Sequence, residues 1–453
     1  MSELMAKTPA HNRDQEWVVL EEHVTTALSH ANSVGASAAE VSASSHSGLA
    51  VNVRLGAVDT LEHTRDHGVS VTVYRGRCKG VASSADLRPQ SILDCVDRAN
   101  DIARFTQEDR CSGLADKALM ASHLPDLDLW HPREIDADQA IERAIACEQA
   151  AMDTDSRINN SEGAAVNLGQ SISVYGNSHG FLGRRSGTRF SQSCVVIAGE
   201  GDSMQRDYWY DAVRCFDDLE PVEDTGAEAA RRTVARLGAR QVPTSQSPVL
   251  FSPEVARSLL GHFIGAISGG NLYRNASFLL DSLGQQLFPE SISISEMPHI
   301  QKGPSSAAFD SEGVATVQRE IIEDGRLNNY VLSSYSARRL GMETTGNAGG
   351  VRNLRLPAGQ DTQAQLLRQM GTGLLVTEVM GQGVSILTGD YSRGASGFWV
   401  ENGEIRFPVQ EVTIAANLRD IFANILAVGS DVDTRSGIQT GSLLVGGMTI
   451  AGS

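Results

Sequence analysis

The stretch 389–417, GDYSRGASGFWVENGEIRFPVQEVTIAAN, leaves its backbone few choices. Phe398 to Glu401 and Glu404 to Phe407 are short runs of strand-forming residues, and only Asn402-Gly403 separates them. Asn-Gly is the pair that best tolerates positive φ at both central positions of a two-residue turn, so this spacing predicts a tight hairpin. Gly389, Gly394 and Gly397 stand just before it, with Tyr391, Ser392 and Arg393 among them. Such a loop can bring backbone close to another surface while presenting a cation; the plainer role is a bulged loop capping a sheet. Asp324-Gly325, between Ile321-Ile322-Glu323 and Arg326-Leu327, predicts a second hairpin.

Upstream, the apolar period changes several times. Trp17 to Asn32 carries Val18, Val19, Val24, Ala27, Leu28 and Ala31 near helical spacing and then reaches Gly35, which predicts an opening helix. Short runs rich in Val, Leu and Thr follow (40–45, 49–54, 58–63, 69–74 and 80–84), separated by turn residues, and suggest an antiparallel meander. Helices are predicted over 89–106, with Pro89 near its start, over 136–152 with Asp136 as N-cap, and over 226–237 ahead of Gly238. Further strands are expected between Ala164 and Asp211. Gln241 to Ser247 is polar, proline-bearing and without hydrophobic period, the best boundary in the chain. Beyond it come a strand at 249–251 and a helix with Ser252 as N-cap and Pro253 at its first position. The reading is an α+β chain of two domains. Residues 17–240 form an α+β domain with an antiparallel meander, and residues 248–453 a mainly β domain, barrel-like or a sandwich.

A chain of 453 residues, 41% hydrophobic and 21% charged, can bury more than one core. Residues 1–16 lack the apolar centre of a signal peptide, and no apolar run approaches the roughly 20 residues that span a bilayer, so a cytoplasmic location is expected. The six cysteines, at 78, 95, 111, 147, 194 and 215, show no CxxC pairing and read as reduced, mostly packed thiols. A formal charge of −17 disfavours nucleic acid, which is held by clustered Lys and Arg; Arg338, Arg339, Arg352 and Arg355 are too few to reverse that field.

Chemistry is conspicuous by what is missing. His262 and His299 are the only histidines after residue 250, and no cysteine follows Cys215, so the C-terminal half cannot assemble three His or Cys ligands. Ser396 in GASG lacks the GxSxG spacing, and no Walker A sequence is present. The glycines of GTGLLV and GQGVSI lack the third glycine of a dinucleotide loop and read as points of close backbone approach. Cys147 with His131, or Cys194 with His179, are incidental pairs on sequence grounds. Val255, Leu259, Phe263 and Ile267 share one helical face with His262 on its flank, where a packed histidine bonded to backbone is expected.

Several long segments nevertheless carry a resemblance: FDSEGVATVQREIIEDGRLNNYVLSSYSARRLGMETTGN, MGTGLLVTEVMGQGVS and GSDVDTRSGIQTGSLL, with AAEVSAS, RCKGVASSADL, PDLDLWHPREIDADQAIERA and YGNSHGF nearer the N-terminus. With the 389–417 unit, they resemble the PmbA (TldE) branch of the TldD/PmbA family of bacterial metallopeptidases from about residue 17 onward. In that family the TldD subunit holds zinc through an HExxxH helix and a cysteine near the C-terminus. Aligned on Leu259-Leu260, the resemblance places Gly261 and Ala266 at the two histidines, His262 at the glutamate and Thr440 at the cysteine. A threonine hydroxyl is a poor substitute for thiolate.

The resemblance therefore implies a chain with no cofactor of its own and a TldD-like partner subunit that carries zinc. It also implies unfolded peptides as substrates, including leader segments of ribosomally made peptide antibiotics and antitoxins, and allows a homodimer of the chain alone. Thr344 to Asn347 (Thr345, Gly346 and Asn347 foremost) and Tyr391 to Ser396 (Tyr391, Ser392, Arg393 and Gly394 foremost) are the expected peptide-cleft segments. Two alternatives stay open: a metallopeptidase with atypical ligands, and a non-enzymatic protein-binding modulator, since the family has been linked to DNA gyrase.

Overall fold

A computed structural model describes residues 13–452. The opening helix α1 (Arg13–Ser33) leads into strands β1 (Ala38–Arg54), β2 (Ala57–Arg75), β3 (Cys78–Ser84), β4 (Ile158–Asn177), β5 (Leu182–Ala198) and β6 (Gln205–Val213). They form one antiparallel sheet in the order β3-β2-β1-β4-β5-β6. The five short runs read from sequence are thus three strands. Gly48 and Gly68 do not break them, because each stays in register, Gly48 opposite Thr64 and Gly169, and Gly68 opposite Ser44.

Helices α2 (Pro89–Phe105), α3 (Ala137–Thr154) and α4 (Val222–Ala235) join α1 on this sheet. Strand periodicity puts Ala39, Val41, Ala43, Leu49, Val51 and Val53 of β1 on the buried side. The first three pack with Leu20, Val24, Ile92 and Val96 of α1 and α2; the last three pack with Ala140, Ala144, Ala229 and Ala230 of α3 and α4. Asp136 caps α3 as its sequence predicts, accepting from Gln139 N at 2.8 Å in a reciprocal capping box.

The C-terminal half contains β7 (Ser245–Phe251), α5 (Pro253–Ala266), α6 (Gly269–Leu272), β8 (Ile294–Glu296), β9 (Arg319–Glu323), β10 (Arg326–Leu327), α7 (Ser334–Leu340), β11 (Leu354–Arg355) and α8 (Gln363–Met370). After these come β12 (Gly373–Met380), β13 (Asp390–Glu401), β14 (Glu404–Asn417), α9 (Leu418–Ala423), β15 (Ile425–Val428), β16 (Ile438–Gln439) and β17 (Leu443–Ala451). Strands β14-β13-β12-β7-β17 close into a five-stranded barrel through pairing of β14 with β17, while β15 adds to β17. A smaller sheet runs β10-β9-β8-β11-β16. Closure leaves these five strands without a free edge.

Three local expectations change. β7 starts at Ser245, inside the polar stretch, because Ser245, Gln246 and Ser247 pair with Ile450, Thr449 and Met448 of β17. The glycine-rich stretch before the hairpin is strand: β13 runs from Asp390, and Gly397 sits at a bulge where an added Cβ would lie 1.8 Å from Leu375 O. Ser252 occupies the N-cap position of α5, but its side chain makes no capping bond. The two predicted turns hold, with φ of 54° and 77° at Asn402 and Gly403, and 46° and 76° at Asp324 and Gly325.

The sheet and the barrel half meet through part-buried polar contacts. Arg185 Nη2 donates to the carbonyls of Phe309 (2.6 Å) and Asp310 (2.7 Å), and its guanidinium lies 4.0 Å over the Phe309 ring. Tyr175 Oη bonds Glu40 at 2.8 Å and the Glu312 carbonyl at 3.1 Å, and Arg435 Nη1 donates to Tyr210 O at 2.7 Å. Among the described residues no helix is long and apolar enough to cross a membrane.

Candidate functional site

Helix α5 starts directly after barrel strand β7, and its apolar period fixes how it lies. Val255, Leu259, Phe263 and Ile267 are buried in one core with Val249, Phe251, Val376 and Val445. That burial turns Gly261 toward β16, where a methyl on Gly261 would stand 3.8 Å from Ile438 Cδ1. Thr440 follows β16 and is buried; its hydroxyl donates to the neighbouring Gly441 carbonyl at 3.0 Å. Ala266 is buried at the helix end. The α5–β16 contact therefore gathers the segments bearing Gly261 and Thr440.

His262 is half-buried, and its ring meets Tyr391 of β13 edge to face, with centroids 6.1 Å apart. The histidine expected to bond backbone does not: Nε2 is buried with no hydrogen-bond partner, and so is the Tyr391 hydroxyl. Burial, and secondly the nearby Arg393 guanidinium, lower the imidazole pKa, so the neutral ring is favoured. Burial pushes the Tyr391 phenol up to about 12, against the opposing pull of Arg393. Arg393 Nε donates to the Met380 carbonyl at 3.0 Å. Ser392 is exposed and its N–H donates to Gly383 O at 2.7 Å, while Gly394 pairs with Met380 of β12 and Thr413 of β14.

The second expected cleft segment faces inward. Thr345 N and Asn347 N both donate to Leu332 O, at 3.2 and 3.4 Å. Thr345 Oγ1 accepts from Leu332 N at 2.8 Å, and Asn347 Nδ2 donates to buried Glu296 at 2.7 Å. A Cβ on Gly346, at φ 68°, would lie 2.7 Å from Ala315 O. These groups organise the loop and have few atoms left to offer a ligand, whereas the Tyr391–Gly394 segment keeps an exposed serine and a partly exposed cation.

Zinc fits this donor set poorly. A catalytic zinc site takes three nitrogen, sulfur or carboxylate ligands. Gly261, His262, Ala266 and Thr440 supply one imidazole and one hydroxyl already bonded to backbone. His299 is engaged elsewhere, with Nε2 3.1 Å from Thr316 Oγ1. Among the described residues no three His, Cys, Asp or Glu side chains converge as a metal site. The six cysteines are free thiols, four of them buried.

Sequence reasoning missed a second feature, a cleft between β6, α4 and the barrel in which Ser252, Trp209 and Arg435 take part. No local pattern signals it, because its walls come from separate parts of the chain.

A long antiparallel sheet joined to a closed barrel with α5 on its flank defines the class, a fold of the TldD/TldE type. The crystal structure of a candidate modulator of DNA gyrase from Bacteroides thetaiotaomicron superposes with a TM-score of 0.91 at 28% identity, covering 96% of this chain and 99% of that one. TldE from Thermococcus kodakarensis superposes with a TM-score of 0.82 at 18% identity over 96% of this chain and 100% of its own, a likeness of fold. Residues 39–103, 130–237 and 244–452 match, in turn, domain 1, the central domain and the C-terminal domain of the PmbA/TldA metallopeptidases. Metalloprotease PmbA of Escherichia coli O157:H7 is 52% identical over 435 residues, 96% of each chain, and a PmbA homologue of Haemophilus influenzae is 50% identical over the same share. The chain belongs to the PmbA/TldD metallopeptidase family.

Proposed function

We propose that this chain is the metal-free subunit of a cytoplasmic TldD/TldE-type peptidase pair that cleaves unfolded peptides, its TldD-like partner supplying the zinc. The observation that carries this reading is the residue set at the four positions, Gly261, His262, Ala266 and Thr440, which offers one imidazole and one hydroxyl already bonded to backbone. A family member that keeps the whole fold but not the ligands can still wall a shared chamber, because docking surface and cleft depend on the backbone while hydrolysis needs one metal centre. A zinc metalloprotease TldD homologue of Saccharolobus solfataricus, 27% identical over 55% of this chain, shows that a relationship to the zinc-bearing branch is detectable. Peptide-antibiotic leaders and antitoxins are the substrate types that family resemblance brings. The Tyr391–Gly394 segment is the contribution to the peptide cleft that this geometry favours.

Reconstitution tests the assignment. The pure chain should leave an unfolded peptide intact, and addition of a TldD-like subunit should start cleavage that disappears when the partner's zinc-site glutamate is replaced. Chelator-sensitive cleavage by this chain alone, free of any partner, would overturn the proposal.

A further inference from the structure

The cleft between β6, α4 and the barrel has a volume of about 650 Å³, within the range of ligand pockets. It opens at the start of α5. Ser252 lines it there and is only 4% exposed. The backbone of Ser252 is fully used: its N–H donates to Val376 O at 3.0 Å, and its carbonyl accepts from Val255 and Ala256 at 3.0 and 2.8 Å. What remains for the cleft is the hydroxyl, which neither caps the helix nor bonds any other group. Arg232, also in the lining, has Nε without a hydrogen bond and 3.6 Å from Asp207 Oδ1. A buried hydroxyl left unpaired costs free energy that an incoming acceptor oxygen would recover.

Charge limits what that acceptor can be. The lining holds the six carboxylates of Asp207, Glu220, Glu228, Glu254, Asp431 and Asp433 and the three guanidiniums of Arg231, Arg232 and Arg435; two more guanidiniums stand against it, Arg236 3.6 Å from Asp207 and Arg257 3.7 Å from Asp433, and carboxylates still outnumber them. The guanidiniums are already partnered: Arg232 stands 3.5 Å from Glu254, Arg435 is 2.9 Å from Asp433, and Arg231 is 2.6 Å from Glu228. An added anion would meet an excess of negative charge, whereas a neutral carbonyl oxygen at the positive end of the α5 dipole would not. The same excess favours a cationic group beside it. Trp209, with the guanidiniums of Arg232 and Arg435 5.1 and 4.2 Å from its ring, lines the cleft beside Leu375, Phe398 and Ile405, which give apolar wall for an aliphatic stem.

We propose that this cleft binds an unfolded peptide segment bearing a lysine or arginine, with a backbone carbonyl accepting from Ser252 Oγ and the basic side chain lying along the apolar wall toward the carboxylates. The choice of a peptide as the basic ligand rests on the function proposed above. The cleft is separate from the His262–Tyr391 contact and would hold the peptide while chemistry proceeds across the subunit pair.

Binding is measured by fluorescence anisotropy on the intact chain alone, with a labelled unfolded lysine-bearing peptide and its glutamate counterpart, so a failure of the subunit pair to cleave leaves this result readable. The lysine peptide should bind, and the glutamate peptide about tenfold more weakly or worse. Ser252→Ala should weaken binding by about threefold to tenfold, the loss of one hydrogen bond, with the thermal midpoint unchanged or raised because the hydroxyl caps nothing and is unpaired in the free chain. Ile405→Lys, at a position 48% exposed, should weaken the lysine peptide by about threefold. Equal binding of the two peptides, an unchanged affinity in Ser252→Ala, or displacement by a polyamine that binds wild type and Ser252→Ala alike would overturn the proposal.

Discussion

His262 and Tyr391 meet edge to face at 6.1 Å and 69°, and each buries a polar atom with no hydrogen-bond partner. The contact therefore works as packing, with a residual polar cost on both sides.

Removing either orphan atom while keeping the ring shape should not harm the fold. His262→Phe and Tyr391→Phe should each leave stability unchanged or raise it by about 1 kcal/mol in urea unfolding. A loss of comparable size in either variant would mean that the atom has a partner in solution.

The same contact has a pH signature. Because burial holds the folded His262 pKa below its ordinary 6.5, the unfolded chain binds more protons in that range. Stability contributed by the neutral ring is then full above about pH 6.5 and is lost as pH falls toward the folded pKa. Asp310, raised to about 6, and Glu296, also raised, act in the opposite sense, losing their contribution as pH rises. The readout is thus a difference: His262→Phe should show a flatter acid limb than wild type between pH 6.5 and the folded pKa, and identical limbs would refute it.

Metal content provides a direct check on the donor set. After dialysis the pure chain should retain far less than one zinc ion by elemental analysis. Near-stoichiometric zinc that vanishes in His262→Ala would restore the reading of a metallopeptidase with atypical ligands.

Arg393 is the cation that the Tyr391–Gly394 segment keeps partly exposed. Arg393→Ala removes one bond to the Met380 carbonyl and should cost about 1 kcal/mol of stability. In the reconstituted pair it should slow cleavage of unfolded peptides by about tenfold, through lost positioning, without weakening subunit association. Unchanged turnover on several peptides would remove this segment from the cleft.

Barrel closure depends on Gly397, where a methyl would stand 1.8 Å from the Leu375 carbonyl across the β12–β13 pair. Gly397→Ala should destabilise the chain by about 3 kcal/mol or more, because the obstacle is backbone and cannot rotate away. Wild-type urea midpoints for this variant would show that the bulge can shift.

Features set by neighbours in the chain were legible from the amino acids alone. Asn402-Gly403 and Asp324-Gly325 dictate their turns through φ, Asp136 dictates the start of α3, and the apolar period of Val255, Leu259, Phe263 and Ile267 dictates the buried face of α5. The scarcity of ligands in the C-terminal half, two histidines after residue 250 and no cysteine after Cys215, was equally plain as a matter of composition, whereas positions 261, 266 and 440 were singled out by the family resemblance. Glycine misled where its role is long-range: the segments holding Gly48 and Gly68 read as turns and that holding Gly397 as a loop, but all three lie within strands because of what stands opposite or above them. Only tertiary structure decided that β14 reaches β17 to close the barrel, that His262 meets Tyr391 rather than backbone, and that Ser252 turns an unused hydroxyl toward a cleft walled by β6 and α4. Turn and helix preferences act over a few residues. Register, ring contact and cleft formation depend on which distant segments share a core, and that follows from packing the whole chain at once.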